Sequence, residues 1–94
     1  MKIRYTKVAL KYLNGLPKNL RESIRESVKG LIQTPPIGDV KIMQGYKDGR
    51  RRLRVGKFRV IYKYSEDIKK EEGIDVIVEI LIVMEIGIRG DIYK

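Results

Sequence analysis

Cysteine and histidine are both absent from this 94-residue chain. Without cysteine there is no disulfide framework, no thiolate nucleophile and no thiolate zinc site. Without histidine there is no Ser-His-Asp triad, no paired-histidine nuclease and no imidazole metal ligand. Neither a resident metal nor a cofactor is expected. Long apolar runs are missing too. The longest lies between Glu79 and Glu85, far short of a membrane-spanning helix. The opening residues, MKIRYTKVALKYL, lack the uninterrupted apolar core of a secretory signal. The expectation is a soluble, cytoplasmic protein with no membrane partner.

What is present is a globular composition with a strong basic bias. Hydrophobic residues make up 43% and charged residues 35%, and the length suits one domain over residues 1–94. The formal net charge is +9. A small domain this basic is expected to meet a polyanion. The excess is concentrated in residues 41–63, where Lys41, Lys47, Arg50, Arg51, Arg52, Arg54, Lys57, Arg59 and Lys63 face a single acid, Asp48. Residues 64–94 are net acidic.

Periodicity predicts an α+β fold. Residues 2–5 read as a short strand, and Thr6 can cap a helix over residues 7–14 with Val8, Ala9, Tyr12 and Leu13 at helical spacing. Asn14-Gly15 ends it. Pro17 suits the first turn of a second helix, whose apolar stripe is Leu20, Ile24, Val28, Leu31 and Ile32, and Thr34-Pro35-Pro36 stops it. Three further strands are predicted: residues 50–55, 58–64 and 74–86. Gly56-Lys57 joins the first two, and the charged run 65–73 reads as a hairpin loop. On the last strand the even positions, Ile74 to Ile86, form the more apolar face. The expected layout is β-α-α-β-β-β, two helices covering one face of a mostly antiparallel sheet, with the last strand away from the edge.

The alternation gives the basic segment a direction. Leu53 and Val55 point to one face, and Arg50, Arg52 and Arg54 to the other. Guanidinium groups two residues apart stand about 6.5–7 Å from one another along a strand, close to the spacing of phosphates on an extended nucleic-acid chain. Arginine also offers phosphate a planar fork. The competing arrangement pairs these arginines with Asp75, Glu79 and Glu85 across the sheet. Past the last strand, Arg89 and Tyr93 can reach the same groove, where tyrosine can stack on a base. Tyr5, Tyr12, Tyr62 and Tyr64 read as packing residues, and Tyr46, between Gly45 and Gly49, has no assigned role.

Three segments together carry a resemblance. Gly38-x-Val40-Lys41-x-Met43-x-Gly45, then RRRLRVGKFRVIY over 50–62, then Gly87-x-Arg89-x-Asp91-Ile92-Tyr93, look like the RelE/ParE toxin superfamily of type II toxin–antitoxin systems. The resemblance spans the whole chain. It implies a toxin of the RelE branch, a metal-independent endoribonuclease that cleaves mRNA in the ribosomal A site. There the ribose 2′-OH attacks the adjacent phosphate, cations stabilise the crowded phosphorane and an acid protonates the departing 5′-oxygen. The family's strand arginine falls on Arg59, implied to stabilise the phosphate. The arginine after the last strand falls on Arg89, implied to serve the leaving group, and the C-terminal tyrosine on Tyr93, implied to orient the nucleotide. Two basic positions, often lysine in the RNA-cleaving branch, fall on Arg50 and Arg52, and the position before Arg89, commonly histidine, is Ile88.

The expected catalytic set is thus Arg52, Arg59, Arg89 and Tyr93. The expected RNA-binding set is Lys41, Lys47, Arg50, Arg54 and Lys57. A guanidinium stays protonated, so the general base is left open among Lys41, Lys47 and Lys57. The implied partners are the ribosome, mRNA and a RelB-like antitoxin with an acidic segment. The alternatives are a ParE-like inhibitor of DNA gyrase and a non-catalytic, basic nucleic-acid-binding domain.

Overall fold

A computed structural model describes residues 1–88. It consists of β1 (Lys2–Tyr5), α1 (Lys7–Asn14), α2 (Lys18–Gly30), β2 (Asp39–Ile42), β3 (Arg51–Val55), β4 (Phe58–Glu71) and β5 (Ile74–Ile88). The strands form one sheet in the order β1-β5-β4-β3-β2, antiparallel except where β1 runs parallel to β5. This is the expected α+β layout with one more strand. β2 escapes the sequence reading because it has only four residues, DVKI, between a proline-rich stop and a glycine-rich loop.

Thr6 ties the helices to the sheet. Its hydroxyl accepts from the Ala9 N–H at 3.2 Å, capping α1, and donates to the Met84 carbonyl at 2.7 Å. The Thr6 N–H donates to the Val83 carbonyl at 3.0 Å. Helix α1 is thereby anchored at its first turn to the strand it covers. The apolar stripes of α1 and α2 bring Ala9, Leu13, Ile24 and Val28 onto Leu53, Phe58, Val60, Tyr62, Leu81, Val83 and Ile86. Burying a side chain of this size stabilises by about 1.5–3 kcal/mol. Gly38 brings the chain into β2 with φ +144°, and a Cβ there would lie 2.8 Å from Leu53 Cδ1. The positive φ favours glycine there, and any larger residue would also have to displace the end of the Leu53 side chain.

Two expectations about the last hairpin need correction. Residues 65–73 are not a loop: β4 continues to Glu71, and only Glu72 and Gly73, with φ 52° and 78°, make the turn. Two consecutive positive φ values match the twist of the strands they join. The charges of the run are accommodated because this ribbon projects past β1 and β3. Lys70 pairs with Asp75 at 3.2 Å, and Arg4 with Asp67 at 2.7 Å. The second correction concerns the faces of β5. The odd residues Leu81 and Val83 pack under the helices, together with the even residue Ile86. A bulge explains the switch. Ile61 is opposite Glu85 and Tyr62 is opposite Val83, so Met84 is the extra residue and reverses the alternation.

Candidate phosphate-binding face

The helices cover one side of the sheet, and the basic residues of β3 and β4 lie on the other. Register arranges them in rows. One row runs Asp39, Arg54, Arg59, Gly87 across β2, β3, β4 and β5. The next runs Lys41, Arg52, Ile61, Glu85. Arg54 and Arg59 are direct cross-strand neighbours, an arrangement in which like charges repel. Gly87 places no side chain beside Arg59.

Arg59 is only 7% exposed. Its Nη1 donates to the carbonyls of Phe58 at 3.1 Å and Gly56 at 3.4 Å, both beside the β3–β4 turn. Among the described residues no carboxylate lies within ion-pair distance of it. A buried guanidinium held by backbone carbonyls keeps its orientation but gains no neutralising charge. Such an isolated buried cation is unfavourable until an anion joins it.

Arg52 and Arg54 share one exposed acid. Both lie 3.7 Å from Asp39, too long for a strong hydrogen-bonded pair. The Arg52 side chain is 11% exposed, and its Nε is buried without a hydrogen-bond partner. The competing arrangement with Asp75, Glu79 and Glu85 does not form among the described residues: Asp75 pairs with Lys70, and the acids near Arg50, Arg52 and Arg54 are Asp48 and Asp39. The other expected residues are dispersed. Lys41 is exposed beside Arg52. Lys47 is exposed in the loop before β3. Lys57, in the β3–β4 turn, lies with its ammonium 5.5 Å from the centre of the Phe58 ring. Arg89 and Tyr93 lie outside the described residues.

Arg50 has a different environment. Its Nε and Nη2 donate to the two carboxylate oxygens of Asp48 at 3.1 and 2.9 Å, and its backbone N–H adds a bond of 3.3 Å. The Arg50 guanidinium beside Asp48 holds that carboxyl well below the ordinary range, at about 2. Asp48 in turn raises Arg50. Lys63, on the face of Ile61 and Arg59, approaches Asp48 at 3.8 Å. Sequence reasoning missed Asp48 and Lys63, although the period-2 alternation of β4 already places Lys63 with Arg59. The sign of the pH effect follows from the depressed carboxyl. The pair contributes its full stabilisation above the ordinary aspartate range and loses it as pH falls through about 2. In an NMR pH titration the Asp48 carboxyl carbon should therefore move with a midpoint near 2. A midpoint near 4, that of a free aspartate, would mean that Arg50 is not engaged.

Tyr62 and Tyr64 lie on the helix-covered side and are not part of this face. Burial pushes the Tyr62 hydroxyl up to about 12, and the Tyr64 hydroxyl donates to the Leu31 carbonyl at 2.8 Å. Arg51, also on that side, stacks 5.5 Å above the Tyr64 ring. Among the described residues no helix is long and apolar enough to cross a membrane.

Comparison with curated proteins gives no significant match. A family model does match: residues 3–86 fit the ParE toxin of the type II toxin-antitoxin system parDE. The match covers both helices and nearly all of the sheet, including every residue of the two rows of the basic face except Gly87. The chain thus belongs to the ParE toxin family, and its partner is the antitoxin of a type II toxin–antitoxin system.

Proposed function

We propose that this toxin is a ribosome-dependent endoribonuclease that cuts mRNA in the A site, with its open sheet face as the phosphate-binding surface. One observation carries the reading: Arg59, buried and fixed by backbone carbonyls, stands in register with Arg54 and has no carboxylate partner among the described residues. A preorganised guanidinium, with a second one beside it on the next strand, fits the charge that develops on a phosphate oxygen better than that of the ground state.

In this reading the 2′-oxygen forms a bond to phosphorus as the bond to the 5′-oxygen breaks. The products are a 2′,3′-cyclic phosphate and a 5′-hydroxyl. Arg59 and Arg54 stabilise the non-bridging oxygens, and Arg52 positions a neighbouring phosphate. One proton leaves the 2′-hydroxyl and one reaches the 5′-oxygen. Arg89 is assigned to the leaving oxygen and Tyr93 to the nucleotide ring. Of the three lysines left open, Lys41 shares a row with Arg52. The antitoxin would cover the same face with an acidic segment, replacing phosphates by carboxylates.

A second reading is inhibition of DNA gyrase without chemistry. It is favoured by the dominance of arginine on the open face, since arginine does not accept a proton. The messenger separates the two. Cuts confined to the A-site codon of stalled ribosomes are expected, and an intact messenger overturns the nuclease reading.

Salt tests the phosphate contacts themselves. Affinity for single-stranded RNA should fall with salt at a log–log slope of about −0.7 per phosphate contacted, and Arg52→Ala should remove about that amount. An unchanged slope would place Arg52 off the RNA path.

A further inference from the structure

The loop before β3 contains an aromatic side chain that the proposed chemistry does not use. The Arg50 guanidinium carbon lies 4.1 Å from the centre of the Tyr46 ring, the distance of a close cation–π stack. Asp48 grips the same guanidinium with two side-chain bonds of 3.1 and 2.9 Å. Arg50 is therefore held from its edge by a carboxylate while its flat face supports the ring. Its charge is matched by a bidentate carboxylate, which neither Arg54 nor Arg59 has among the described residues, so its fork is not free to take a phosphate. Tyr46 nevertheless remains 48% exposed. A ring covered on one side by a guanidinium and still half exposed presents its other side to solvent. The stack borders the basic face, because Lys63 reaches Asp48 at 3.8 Å and Arg50 continues the line of Arg52 and Arg54.

We infer that Tyr46, backed by Arg50 and Asp48, is a stacking platform for an unpaired nucleobase of the RNA strand whose phosphates lie along Arg52, Arg54 and Arg59. The inference rests on the nuclease reading for its ligand and adds a base-contacting subsite to a face otherwise made of phosphate contacts. Stacking tolerates any base. An ordered ring loses less freedom on binding than a mobile one, which gives the bidentate Asp48–Arg50 pair a role in binding.

The chain has no tryptophan, so Tyr46→Trp introduces a single indole at the platform. The full chain is titrated at low salt with a fluorescently labelled RNA hexamer, and with the same labelled sugar–phosphate chain lacking bases. Label anisotropy reports binding, and indole emission reports stacking. The expected result is that both bind but only the base-bearing hexamer quenches the indole. By label anisotropy, Tyr46→Ala should bind the base-bearing hexamer roughly tenfold more weakly than the wild-type chain and the abasic chain nearly as well. Equal quenching by both chains, or binding of both without quenching, overturns the platform while leaving the phosphate face intact. Failure of both chains to bind removes the nucleic-acid face and the platform with it.

Discussion

Arg59→Ala should cleave mRNA at about one-hundredth of the wild-type rate or less in single turnovers on the ribosome, with ribosome affinity within a few-fold of wild type. The separation follows from where the charge develops. A cation aimed at the phosphorane lowers the barrier and contributes little to ground-state binding, so its loss appears in rate rather than in affinity. Arg59 suits that role because its Nη1 is tied to Phe58 and Gly56, leaving little reorganisation at the moment of reaction. Arg59→Lys retains a charge but not the planar fork, and should recover only part of the rate. Thermal melts of both variants guard against unfolding. Loss of rate at unchanged melting temperature places Arg59 in the chemistry, whereas wild-type cleavage by Arg59→Ala removes it from the site.

The second large effect concerns the fold alone. Leu81→Ala should cost about 2–5 kcal/mol, a large share of the roughly 5–15 kcal/mol that holds a domain of this size together. The melting temperature should fall by about 10 °C or more. Leu81 is fully buried, lies between Ile3 on β1 and Tyr64 on β4, and packs under the helices. Ile77, on the same strand but 67% exposed on the ribbon, provides the contrast, and Ile77→Ala should change stability by less than about 0.5 kcal/mol. Chemical denaturation of the two variants measures the difference. A small loss at Leu81 would return the core to the even residues of β5 and contradict the bulge at Met84.

That bulge shows where reading the sequence reaches its limit. The two helices were legible from their apolar stripes, Thr6 from its capping chemistry and the faces of β3 and β4 from alternation. Period-2 reasoning assumes an unbroken strand, and one extra residue at Met84 inverts it without leaving a sign in composition. The charged ribbon departs from its expected loop for a related reason. Glu66, Asp67, Lys69, Lys70 and Glu71 look like a loop when burial is assumed, but an exposed two-stranded ribbon needs no apolar face. Of the site, the line of Arg50, Arg52 and Arg54 was visible in the sequence. The opposition of Arg54 to Arg59 required the register, and the diversion of Arg50 into a stack with Tyr46 required the loop geometry. The first follows once Gly56-Lys57 is a two-residue hairpin loop, whereas the second is not encoded at a fixed sequence spacing.

The central claim, that the open face acts on messenger phosphates, is tested most directly by following one preparation of the purified toxin through two reactions. In the first, ribosomes are stalled on a defined messenger with an empty A site, and the 5′ ends of the fragments are mapped by primer extension. In the second, the same protein is added to DNA gyrase and relaxed plasmid. The account predicts new messenger ends within the A-site codon, bearing 5′-hydroxyls, and supercoiling at the uninhibited rate. An intact messenger together with blocked supercoiling would contradict it.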